Sequence, residues 1–231
     1  MAGNHKKPEI TKTQKSQKTG IAKKIHTKIS VLAILNQMRA KGLKWNERMC
    51  AEVAFHGPLD VFKWFRAQNC PWDEHVCFKA AMAGHLDILK WARDQNCPWD
   101  ERTCIGAALG GHLELLKWAH AQNCPWDERT CTGAAFGGHL ELLKWAHDQG
   151  CPWNFLTCYG AAENGHLELL KWAHDQGCPW DESTCLAAAE KGHLEMLKWA
   201  RAQNCPWDKA RCIEKASDSG HTEVLDWIRA Q

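Results

Sequence analysis

The chain has 231 residues, a formal charge of +2, 14 Trp against one Tyr, and 13 Cys. No apolar run approaches the ~18 residues that a membrane span needs, and the Lys-rich start lacks the apolar stretch of a secretory signal, so the expectation is an intracellular protein, cytoplasmic or nuclear. Residues 43–231 divide into seven copies of a 27-residue unit with two Trp each, which accounts for the Trp excess and excludes a single compact active-site domain as the organising element.

Residues 1–28 carry eight Lys (Lys6, Lys7, Lys12, Lys15, Lys18, Lys23, Lys24 and Lys28) and one acid, Glu9, a net of +7 with almost nothing to bury. This reads as a disordered basic tail. Since the whole chain is +2, subtracting +7 leaves the remainder at −5. Residues 29–42 align with the second half of a unit. Leu32, Ile34, Leu35 and Met38 recur at helical spacing, Ser30 sits at an N-cap and Gly42 ends the run, which predicts an N-terminal capping helix.

The units follow at 43–69, 70–96, 97–123, 124–150, 151–177, 178–204 and 205–231. In the third, Asp100 after Pro98 and Trp99 predicts an N-cap with Glu101 in the first turn, and a first helix over 101–109. Gly110 and Gly111 break it, and a second helix is predicted over 113–122. The next position holds Asn69, Asn96, Asn123, Gly150, Gly177 or Asn204, the two residue types that enter the left-handed region cheaply. That is a helix C-terminus, with Cys and Pro beyond it. The seventh unit gains one residue before Gly220.

At 100° per residue, Cys104, Ala107 and Ala108 share one face of small side chains that should pack against neighbouring units. The opposite positions vary from copy to copy. Beside Ile105 stand Phe78, Thr132 and Tyr159, and beside Leu109 stand Met82, Phe136 and Glu163. In the second helix, Leu113, Leu116 and Ala119 should face inward, with Glu114 and Lys117 paired outside.

Each full unit offers two Cys and one His, zinc's preferred ligands. The spacing C-x6-C-x7-H lacks a close Cys pair, and Leu43 and Pro58 replace a Cys and the His in unit one, so these positions read as packing residues and no metal is expected. The His before the second helix is expected to bind the turn or the neighbouring repeat. An odd Cys count in a reducing compartment argues against a disulfide framework. Pro after each first Cys is explained by the helix end before it, so no haem or other cofactor is expected. Every Cys and His recurs by unit or lies in the tail, leaving no unique catalytic constellation. The Trp read as core anchors bridging the units.

The stretch A-A-L-G-G-H-L-E-L-L-K-W-A (Ala107 to Ala119) resembles the ankyrin repeat, whose helix pair carries A-A-x-x-G-H and L-E-x-x-x-x-L; the resemblance covers residues 30–231. Thr103-Cys104 replaces the family's T-P-L-H opening, and 27 residues leave no room for hairpin fingers. Short Trp-rich units of this kind are similar to those of large DNA viruses and protists. The resemblance implies an all-α, ankyrin-like helix-turn-helix solenoid without catalysis that binds a partner protein through its first-helix face. The site expected there is an apolar strip of Phe78, Met82, Ile105, Leu109 and Phe136 flanked by His75, Arg102 and Arg129. Its centre is unit five, where Asn154, Phe155 and Leu156 replace Asp-Glu-Arg and Tyr159 follows; such side chains either complete packing against the neighbouring repeat or form an interaction patch. A nucleic-acid-associated or nuclear-directed module using the basic tail is the alternative; no membrane partner is expected.

Overall fold

The computed structural model describes Gly42 and residues 44–231. The expected basic tail, and the capping helix apart from Gly42, lie outside the described residues. From Asn46 to Gln231 the chain is one compact unit of paired helices. Among the described residues there are fourteen helices and no strand. The first helices of successive units are Glu47–His56, Glu74–Met82, Glu101–Leu109, Glu128–Phe136, Phe155–Glu163, Glu182–Glu190 and Lys209–Asp218. The second helices are Leu59–Ala67, Leu86–Asp94, Leu113–Ala121, Leu140–Asp148, Leu167–Asp175, Leu194–Ala202 and Thr222–Ala230. Each first helix packs on the first helices of adjacent units and on the second helix of its own; this is a helical repeat solenoid.

Short-range chemistry sets the boundaries. Asp100 accepts from the Arg102 amide and Asn154 from the Leu156 amide, so each N-cap satisfies one of the donors a helix start leaves open. At the other end Gln122 caps the helix one residue earlier than the pattern predicts. Asn123 then enters the left-handed region at φ 59°, and the Cys124 amide returns to the Ala119 carbonyl at 3.0 Å. Asn69, Asn96 and Asn204 do the same, and Gly150 and Gly177 replace them with φ of 79° and 81°. The extra residue of the last unit lengthens its first helix to ten residues, and the Asp208 cap shifts to the Arg211 amide.

Small side chains carry the first-helix contacts. Cys104, Ala107 and Ala108 are fully buried, as are their copies in units four and five. The second helices contribute Leu115, Leu116 and Ala119. Leu113, expected inside, is only half-buried, and Leu115 takes that role because the apolar stripe is wider than three positions. Removing Leu116 down to Ala should cost about 2 to 5 kcal/mol. Outside, Lys117 pairs with Glu114 at 2.8 Å, and Lys144, Lys171 and Lys198 repeat the contact with Glu141, Glu168 and Glu195.

The Trp are not core. In units two to six every one of them is half-buried, at the edge where the loop before a first helix meets the second helix. Trp126 and Trp145 lie edge to face at 6.0 Å, as do Trp153 and Trp172 at 5.9 Å and Trp180 and Trp199 at 5.8 Å. The bridge between units is the last-turn His or Arg of the preceding second helix. His120 stacks on Trp126 at 3.9 Å and meets Trp145 edge-on at 5.9 Å. His147 and His174 repeat this in the next two units. Arg66, Arg93 and Arg201 place a guanidinium over Trp72, Trp99 and Trp207 instead. Those three guanidinia also donate to the backbone carbonyls of Cys70, Cys97 and Cys205. Indoles that must hold a polar neighbour cannot be sealed in the core.

Candidate functional site

The first-helix face begins at the N-caps. The Arg102 guanidinium contacts Asp100 of its own cap at 2.8 Å through Nε and reaches Glu74 of the preceding unit at 2.8 Å through Nη2. Its Nη1 lies 3.0 Å from His75 Nε2. Arg129 repeats the clasp with Asp127 and with Glu101 at 2.9 Å. The acids, Asp100 foremost for Arg102 and Asp127 for Arg129, hold both guanidinia firmly charged. These arginines were expected to flank the apolar strip, with no partner assigned to them. Each is instead committed to acids of two adjacent units, a surface pair worth about 0 to 1 kcal/mol.

Unit five breaks the clasp. Asn154 keeps the cap, accepting from the Leu156 amide at 2.9 Å, but Phe155 and Leu156 stand where sister units place an acid and a cation. They are 40% and 36% exposed, and among the described residues they are the exposed large hydrophobic side chains. Nothing at the start of this helix compensates for that exposure within the fold.

The rest of the strip is half-buried. Phe78 packs on the next first helix at Gly106, where an added Cβ would come within 3.0 Å of its ring. Phe136 covers Gly160 in the same way, at 2.7 Å, and meets Tyr159 edge-on at 6.0 Å. Leu109 lies over Gly133, with its Cβ 3.7 Å from where a side chain would begin. Met82 and Ile105 are half-buried as well. Gly106, Gly133 and Gly160 thus let units three, four and five receive the larger side chains of the unit before. The Tyr159 hydroxyl donates to Glu163 at 3.0 Å, and Glu163 pairs with Lys191 of the next unit at 2.9 Å. Burial, then that carboxylate, push the Tyr159 phenol up. The apolar strip therefore runs from Phe78 to Tyr159 and passes into a charged network in unit six.

The Cys and His positions do not converge. His112 Nε2 donates to the Met82 carbonyl of the preceding unit at 3.2 Å, and His85, His139 and His166 donate to Phe55, Leu109 and Phe136. This leaves the second helices without a side-chain cap, since the imidazole at each N-cap is engaged elsewhere. The first Cys of each unit donates to the N-cap carbonyl one unit back, as Cys124 does to Asp100 at 3.5 Å. Among the described residues one set of three candidate metal-binding side chains comes together, Asp73, Glu74 and His75, within 4.8 Å. His75 is already on Asp73 at 3.1 Å and Glu74 on Arg102.

Sequence reasoning passed over the role of Thr103, Thr130, Thr157 and Thr184, which are fully buried beside the second Cys. It also passed over the Arg or His at positions 66, 93, 120, 147, 174 and 201. The signal was present, because Arg or His recurs six residues before every Trp of the Cys-Pro-Trp loops. No protein-family model matches the chain, and no curated protein matches it. Among the described residues no helix is long and apolar enough to cross a membrane.

Proposed function

We propose that this chain is a non-catalytic scaffold, ankyrin-like in its repeats, that binds a partner protein along the first-helix face with its centre in unit five. The observation that carries this reading is the pair Phe155 and Leu156, exposed where sister units hold an ion-paired acid and cation. Exposed apolar side chains at the end of the clasps that join units two to four suit the anchors of an interface core, with the paired arginines as part of its polar rim. The half-buried row from Phe78 through Phe136 to Tyr159 extends the contact over four units.

The absence of chemistry in this reading rests on repetition. His112, Cys97 and Cys104 are each one of several copies, and each side chain or backbone they touch is used to join units. An affinity capture with the intact chain, followed by identification of the retained protein, supplies the partner. Capture with Leu156→Arg and Tyr159→Ala combined then tests the face. The variant should keep its helical circular dichroism and lose about 2 kcal/mol or more of binding. Undiminished capture by a folded variant places the binding surface elsewhere.

A further inference from the structure

All thirteen cysteines are reduced and buried, and their arrangement is not uniform along a unit. The second Cys of one unit faces the first Cys of the next, twenty residues on. Cys131 Sγ lies 3.9 Å from the Cys151 carbonyl, and Cys158 Sγ lies 4.0 Å from that of Cys178. The same second-to-first pairing recurs in the sequence at all six junctions, from Cys50 and Cys70 to Cys185 and Cys205, and at each of them the neighbouring thiol pushes one member of the pair up. Six pairs account for twelve thiols. Cys212, the second Cys of the last unit, has no Cys after it in the sequence and is the thirteenth.

We propose that the six thiol pairs are sites of reversible oxidation, each forming a disulfide that staples one repeat to the next. The surroundings choose this chemistry over metal binding. The Ala and Cys positions of the first helices are buried, and two thiolates would fill only half of the four positions zinc takes, while among the described residues no His or carboxylate is buried to complete such a site. A disulfide is neutral and needs no further ligand.

The oxidant is a small disulfide such as glutathione disulfide. One protein thiol, as its thiolate, attacks a sulfur of the oxidant, forms a mixed disulfide and expels one small thiolate. The neighbouring thiol then attacks the mixed disulfide, closes the protein S–S bond and expels the second. Two protein S–H bonds are lost, one S–S bond forms, and two small thiols carry away the protons and the electron pair. Since the sulfurs have essentially no exposed surface, the first attack requires a junction to open, which repeat arrays permit locally.

The test uses the full chain in glutathione buffers of increasing oxidised fraction, approached both from the folded reduced protein and by refolding. Free thiols are alkylated, and linked peptides are mapped by mass spectrometry. The expected product is a monomer with each Cys joined to the Cys twenty positions on and Cys212 alone alkylated. It should melt about 6 °C or more above the reduced chain, and dithiothreitol should reverse the change. Replacing Cys158 with Ser should leave Cys178 alkylated while the other five links form. Thirteen alkylated thiols at the oxidising limit, links between other partners or between chains, or a linked product without native helicity would overturn the proposal.

Discussion

Along the Pro-Trp loops, His120, His147 and His174 lie on the indoles of Trp126, Trp153 and Trp180 with ring centroids at 3.9, 3.9 and 4.0 Å. On the first helices of those same three later units, the corresponding positions hold Arg129, Leu156 and Ser183, which differ in charge and size: Arg129 and Ser183 each reach the cap of their own unit, Arg129 alone reaches the unit before, and Leu156 is exposed. Both rows run one residue per unit on the same backbone. The first row is kept because each member joins two units, and a change there has to be accommodated on both sides. On the second, the caps Asp127, Asn154 and Asp181 already fix the helix start, so the next side chain but one is released for other uses. Periodicity marks what holds the array together, and departure from periodicity marks where it can recognise something.

The broadest way to break the repeated side is alkali. Contact with the partner thiol, then burial, push Cys97, Cys124, Cys131, Cys158 and Cys185 up from 9.0, and burial raises Cys212 to about 12. The folded state therefore holds protons that the unfolded chain releases. These groups contribute their full stability below pH 9 and lose it as the pH rises towards 12. Each such thiol should remove about 1.4 kcal/mol per pH unit in that window. Denaturant titrations of reduced protein at stepped pH above 9 would show the loss; a flat profile would separate the thiol pairs from the stability of the junctions.

A single junction is the next target. Gly111 has φ 74°, and a Cβ there would stand 2.4 Å from the His139 ring, whereas Gly150 at φ 79° has open space around it. Gly111→Val should cost about 3 to 5 kcal/mol through strain and overpacking together. Gly150→Asn should be nearly neutral, since four sister units place Asn there. Chemical denaturation of the two variants side by side reads the difference.

The variable side should respond in the opposite sense. Leu156→Arg with Tyr159→Ala should take about 2 kcal/mol or more from partner binding and leave helicity unchanged. His147→Ala should take about 1 kcal/mol from stability, while His147→Arg should hold it, because Arg66, Arg93 and Arg201 make the same contact elsewhere. Binding that fell with His147→Ala in a fully folded protein would move the recognition surface to the Trp side.

Local features were legible in the residues. The first helix of unit three runs over Glu101–Leu109 as its cap and Gly-Gly break predict, and a left-handed Asn or Gly follows the second helix of units one to six where expected. Those signals act within a few positions. What stayed hidden was the direction of each contact across a junction. A 27-residue repeat looks the same whether His112 turns back to Met82 or forward into the following unit, so the pattern implies a neighbour without saying which. The same ambiguity put the Trp in the core and left Arg102 and Arg129 as flanks without named partners, because part of each clasp belongs to the preceding unit. Phe155 and Leu156 were legible as a departure from the pattern, and their exposure is a property of the folded array.

The interlock of His and Gly has one more consequence. His112 fills the space over Gly84, His139 that over Gly111 and His166 that over Gly138, while each unit also carries a glycine to receive the next imidazole. Key and slot are adjacent in the sequence, as in Gly111-His112 and Gly138-His139. Within units two to six a tandem duplication or a deletion of 27 residues therefore preserves this one interlock. The larger first-helix side chains are matched unit by unit instead: losing unit five would set Phe136 against Ala187 in place of Gly160, so a change of length there calls for a compensating substitution, and each array carries a record of the order in which its copies diverged.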